Sequence, residues 1–226
     1  MRRVCALVIV TFAFTASNSP AQDTAKSALE QDSSGWSDLL ADGGADMKGW
    51  SRVSIPPTGT LSANSPWSFD SKTSVLTCAG DASGHEWLRF DKELDDGILH
   101  VEWRFVPMEG KKGYNSGIYA RNSADGKTWH QAQTGDASGG FLFGESPRGG
   151  ENKFQKPAVT KPAKVAPAGE WNVFELTCKA DAMSLFVNGA ETCRWEKLEA
   201  AKGFVGLEAE GYRIEFRNVK YKPLQR

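Results

Sequence analysis

From Gly35 onward the chain is cut repeatedly by turn-forming pairs, and that punctuation constrains its fold more than any other feature. Asp42-Gly43, Pro56-Pro57, Asp95-Asp96-Gly97, Asp125-Gly126 and Asn188-Gly189 each end one run and start another. The runs between them are short and alternate in polarity. Ile98–Val106 is the clearest case. Leu99, Val101, Trp103 and Phe105 share one face, while His100, Glu102 and Arg104 share the other. A period of two means a half-buried strand with one open face. Asn188-Gly189 between two such runs is a strong hairpin signal. Trp67–Asp70 and Val75–Cys78 form another hairpin around Ser71–Ser74. Glu196–Ala201 offers the one helical candidate, a short one. About a dozen short strands with turns between them predict an all-β, two-sheet antiparallel jelly-roll sandwich.

The chain has 226 residues, enough for one domain and a short extra segment. Residues 1–21 read as a secretory signal. Arg2 and Arg3 precede the apolar run Val4–Phe14, which is too short to span a bilayer, and Ser19-Pro20-Ala21 suits cleavage. Losing residues 1–21 removes two arginines and no acid, so the net charge moves from −1 to −3. That balance points away from nucleic acid and from an anionic membrane surface, and the short apolar run predicts no membrane insertion. A secreted or periplasmic protein is expected. Residues 22–34 are polar and read as a flexible leader, with the domain over 35–226. Cys78, Cys178 and Cys193 would remain, and their pairing is open. No clustered ligand motif predicts a metal site or any other cofactor, although a bound divalent metal stays open.

Tyr114–Arg121 alternates in a second way. Asn115, Gly117, Tyr119 and Arg121 share a face suited to the floor of a binding groove, and Ser116, Ile118 and Ala120 face the core. Trp129, Tyr114 and Tyr119 could stack on a sugar ring. The carboxylates that could flank a glycosidic bond are Glu102, Glu145, Glu208 and Glu210, with Asp136 further off. Glu102 ranks first because His100 and Arg104 share its face. Ser146–Ala168 holds four prolines and reads as a long loop, either a lid or a surface excursion.

The order of short motifs resembles the 3-keto-disaccharide hydrolase domain family, within the concanavalin-A-like lectin and glucanase sandwiches. The residues carrying this likeness are Leu94–Arg104, Asn115-Ser116-Gly117-Ile118-Tyr119-Ala120-Arg121 and Gly140-Phe141-Leu142-Phe143-Gly144. Gly169-Glu170-Trp171-Asn172, Val187-Asn188-Gly189, Gly206-Leu207-Glu208 and Glu215-Phe216-Arg217-Asn218-Val219 extend it. The likeness implies a carbohydrate substrate and cleavage of a glycosidic bond next to an oxidised sugar. A lectin-like binder without catalysis is the alternative. One departure stands out: Gln131 occupies the position of a glutamate in the family's aromatic-Glu-x-Gln strand, with His130 at the aromatic and Gln133 retained. A ketone at C3 would acidify the C2 proton, so a base could start an elimination. Glu102, His130 and Arg104 are the expected catalytic groups. Asn115, Tyr119, Arg121, Gln131, Gln133 and Glu208 are expected to bind substrate. The sequence leaves the sugar and the oligomeric state open.

Overall fold

The computed structural model describes residues 25–43, 46–80, 84–135 and 138–225. The expected secretory signal and Asp136 lie outside them. In chain order the elements are α1 (Ala28–Gln31), β1 (Ser37–Asp38), β2 (Trp50–Ser54), β3 (Trp67–Asp70) and β4 (Val75–Cys78). Next come β5 (Glu86–Phe90), β6 (Gly97–Phe105), β7 (Gly117–Asn122), β8 (Trp129–Gln133) and β9 (Leu142–Arg148). The last are β10 (Glu151–Gln155), β11 (Asn172–Lys179), β12 (Ala182–Val187), β13 (Ala190–Trp195), β14 (Phe204–Ala209) and β15 (Ile214–Pro223).

Two antiparallel sheets result. The first runs β13-β12-β11-β6-β15-β4-β3, with β1 also on β15, and the second runs β10-β9-β8-β7-β14-β5-β2. Alternation decides what lies between them. Leu99, Val101, Trp103 and Phe105 of β6 are buried, as their spacing predicts. They meet Phe174 and Leu176 of the same sheet and Ile118, Ala132, Leu142 and Leu207 of the other. The Trp103 ring lies 5.4 Å from Phe105 and 5.2 Å from Phe174. Each such large side chain contributes about 1.5–3 kcal/mol by leaving water. β15 carries a bulge, shifting register between Arg217 and Lys220.

Three local expectations are corrected. Glu196–Ala201 forms no helix. The described part of the leader is anchored rather than loose, because Ser27 caps α1 and the Ala28 and Leu29 amides donate to the Glu175 carboxylate at 2.7 and 3.2 Å. Ser146–Ala168 is not one loop. Its first part completes the β9–β10 hairpin, and the rest follows β13, where Thr160 N donates to Thr192 O at 2.8 Å and Val159 bridges Cys193.

Candidate functional site

The open face of the second sheet forms a groove of about 660 Å³. Parity selects its floor. Trp129, Gln131 and Gln133 of β8 point into it, while His130 and Ala132 point to the core. Register aligns the neighbours: Tyr119 sits opposite Gln131, and Trp87 opposite Glu208. Two glycines make room. A Cβ on Gly117 would lie 2.1 Å from Gln131 Nε2, and one on Gly206 would lie 2.2 Å from the Trp87 ring. Without those side chains, Gln131 and Trp87 lie across the neighbouring strands.

Glu208 is the hub. It is 2% exposed, yet its carboxylate has three donors. His85 Nε2 and Tyr119 OH each approach Oε1 at 2.7 Å, and Gln131 Nε2 donates to Oε2 at 2.8 Å. These bonds replace the water a buried carboxylate loses. From Gln131 the network continues. Its amide donates to Gln133 Oε1 at 3.3 Å, Gln133 donates to Asn115 Oδ1, and Asn115 donates to Glu210. His85 and Glu210 are therefore the two ends of one hydrogen-bonded chain that loops back on itself, leaving its ends within 4.8 Å of each other.

The charges at those ends are tuned. The Glu208 carboxylate raises the pKa of His85 through their hydrogen bond. Burial, and then the charge of Glu208, raises that of Glu210. Burial and Glu208 also push Tyr119 well above the usual phenol range, so it remains a neutral donor. Ligand atoms of His85, Glu208 and Glu210 lie within 4.8 Å of one another, so these three could hold a divalent ion. An ion binding there would displace the His85–Glu208 hydrogen bond.

Of the expected binding residues, Asn115, Tyr119, Gln131, Gln133 and Glu208 line the groove. Arg121 does not. Its φ of +55° breaks the alternation of β7, and its guanidinium turns away to Ala180 O and Asp96 Oδ1, both at 2.8 Å. Asn122 takes its place on the groove wall. The three expected catalytic residues all lie elsewhere. Glu102 and Arg104 are on the outer face of the first sheet, where Glu102 accepts from Arg217 and Asn218 at 2.7 and 2.6 Å and Arg104 donates to Glu215 at 2.7 Å. His130 is buried between the sheets, 5.1 Å from the Trp195 ring and 2.9 Å from Ser146 Oγ. β8 is regular, so His130 and Gln131 cannot share a face. Tyr114 joins the core against Phe105 at 5.1 Å.

His85 and Glu210 were thus undervalued. His85 is two residues before Trp87 and shares its face, which was a readable signal. Its pairing with Glu208 spans 123 residues, which was not readable.

Among curated proteins none matches the chain. Solved structures resemble it in fold. The carbohydrate-binding module CBM66 from Bacillus subtilis is 14% identical with a TM-score of 0.57, covering 78% of this chain and 97% of the module. A candidate glycosyl hydrolase from Parabacteroides distasonis ATCC 8503 is 17% identical with a TM-score of 0.58, covering 90% of this chain and 100% of that one. A β-1,3-1,4-glucanase (lichenase) derived from a mouse hindgut metagenome is 10% identical with a TM-score of 0.52, covering 84% and 98%. These likenesses place the chain among concanavalin-like jelly rolls. Residues 35–222 match the sequence pattern described as the 3-keto-alpha-glucoside-1,2-lyase-like domain, and the chain belongs to that family.

Proposed function

We propose that this protein cleaves the glycosidic bond of a 3-keto-glycoside by proton transfer in the groove around Glu208. The observation that carries this reading is the neighbouring pair, His85 and Glu210, at the two ends of the looped hydrogen-bonded chain. His85 is held by Glu208, and Glu210 has a raised pKa. Paired titratable groups with different environments suit a base and an acid. His85 takes the C2 proton that the C3 ketone acidifies. The electron pair left at C2 forms the enolate, the C1–O bond breaks as the enolate collapses, and Glu210 delivers a proton to the departing oxygen. Water then adds across the new double bond, completing a net hydrolysis. Glu208, engaged by three donors, orients His85 and is not the nucleophile. Asn115 and Gln133 offer amides to sugar hydroxyls. With residues 1–21 as an export signal, we place this activity outside the cytoplasm.

A lectin-like role is the second reading, and Gln131 favours it. Its amide donates to Glu208 but cannot exchange a proton as a carboxyl can. One experiment separates the two. Purified protein is incubated with 3-keto and unoxidised disaccharides, with and without chelator. Cleavage of the 3-keto sugar alone, unaffected by chelator, is the expected result. Binding without turnover would establish the lectin-like reading. A chelator-sensitive activity restored by a divalent ion would make His85, Glu208 and Glu210 metal ligands.

A further inference from the structure

The groove has two unlike halves. Its hydrogen-bonding groups crowd around Glu208 on β14. Two to four strands away, at β8, β9 and β10, the same sheet face carries rings. Strands lie about 4.8 Å apart, so β10 is about 19 Å from β14, beyond the reach of one sugar ring held at Glu208. We propose that the β8–β10 end is a leaving-group subsite for an aromatic aglycone, formed where Trp129, Phe143 and Phe154 meet on one face. This rests on the reading of the Glu208 end as the sugar site.

Register puts those rings together. Trp129 and Phe154 are both opposite Glu145 on β9, from its two sides, and Phe143 is two residues before Glu145. All three therefore share the groove face. Phe154 is 62% exposed, a large apolar ring held in water at the sheet edge.

Ring geometry suits a planar aromatic ligand. Here no two rings are coplanar. Trp129 and Phe143 meet at 89° and 5.2 Å, Phe141 and Phe143 at 46° and 5.5 Å, and Phe143 and Phe154 at 59° and 6.3 Å. Such a corner offers edges and faces at once, which suits the quadrupole of another planar ring. One acceptor stands among the rings: the exposed Glu145 carboxylate, between Trp129 and Phe154, could take the hydroxyl of a phenolic aglycone. Asn152 is already engaged, with Oδ1 accepting from Thr128 and Nδ2 donating to Lys127 O.

Calorimetric titration of the full chain with 4-nitrophenyl glucoside, methyl glucoside and maltose tests this. The aryl glycoside is expected to bind about tenfold more tightly than the methyl glycoside, the gain from one or two good ring contacts. Phe154→Ala, at an exposed position, and Phe143→Ala should each bring that ratio towards one. Equal affinities in the wild type, no measurable aryl binding, or a ratio unchanged in both variants overturns the proposal. Maltose binding more tightly than the aryl glycoside would make this end a sugar subsite and also overturns it. Because the readout is binding, it is independent of turnover. An aryl preference in a protein that cleaves no 3-keto sugar would sink the catalytic reading and leave the subsite standing.

Discussion

The two sheets each turn a polar face outward, and the two faces handle charge differently. On the outer face of the first sheet, three acids of its central strands meet bases. Glu102 pairs with Arg217, Arg104 with Glu215, and His100 with Glu175. Arg104 and Arg217 also lie over the Trp171 ring, at 4.6 and 4.0 Å. That face is compensated and filled. On the groove face, Glu208 meets an imidazole, a phenol and an amide, and Glu210 meets an amide. Cations there are sparse, neutral donors predominate, and space remains beside them. A ladder of ion pairs fixes strands together. A carboxylate held by neutral donors beside an open volume keeps its charge available to a ligand.

The largest effect expected from that contrast is on turnover. His85→Ala and Glu210→Gln should each lower the cleavage rate of a 3-keto glycoside by roughly a hundredfold or more, as losing a general base or acid does. Glu102→Gln, on the other sheet, should leave the rate nearly unchanged. Steady-state kinetics on the three variants checks this. An equal loss in Glu102→Gln would break the comparison, because it would give a compensated face a catalytic role.

A second expectation concerns the layer between the two faces. Burial pushes the His130 pKa from 6.5 down to about 4. The unfolded chain binds a proton here as pH falls through 6.5, while the folded chain stays neutral to about 4. Stability from this residue is therefore complete above pH 6.5 and is lost as pH falls towards 4. The shift corresponds to something on the order of 3 kcal/mol. His100 and His85 have raised values and contribute with the opposite sign. Denaturant midpoints of the wild type and His130→Phe, compared between pH 7 and 5, isolate the difference. The variant should lose stability more slowly on acidification. Parallel curves would mean that His130 is not held neutral in the fold.

These cases show where sequence was sufficient. Strand parity is local, so alternation located β6 and its buried Trp103 and placed Asn115 and Tyr119 on one face, while Gln131 and Gln133 came from the family likeness. The same rule already separated His130 from Gln131. Arg121 escaped it because one left-handed residue reverses the faces after it. Parity also cannot say which polar face is the groove. The partners that decide this are distant: Arg217 and Glu102 are 115 residues apart, and His85 and Glu208 are 123 apart. A strand with Glu102 and Arg104 in alternation looks the same whether it awaits a ligand or an opposite charge from β15.

The smallest expected effect bears on that ambiguity. Burial alone would raise the pKa of Glu102, but the His100 imidazole 3.8 Å away and hydrogen bonds from Asn218 and Arg217 hold it down to about 2. A carboxylate with a lowered folded value stabilises the protein above its unfolded pKa, and that contribution is lost as pH falls through the folded one. Glu102→Gln should therefore cost about 1 kcal/mol near pH 7, in the range of one charged hydrogen bond in a partly exposed pair. The cost should shrink as pH falls from about 4.5 towards 2, where the wild-type carboxyl also takes up its proton. Thermal melts across that interval check it. Added salt should reduce the cost only in part, because the Asn218 contact is short and neutral at 2.6 Å. A cost that grows on acidification would mean that Glu102 is protonated in the folded state at neutral pH. The outer face would then carry an unpaired arginine, and its likeness to the groove would be closer than the ion pairs imply.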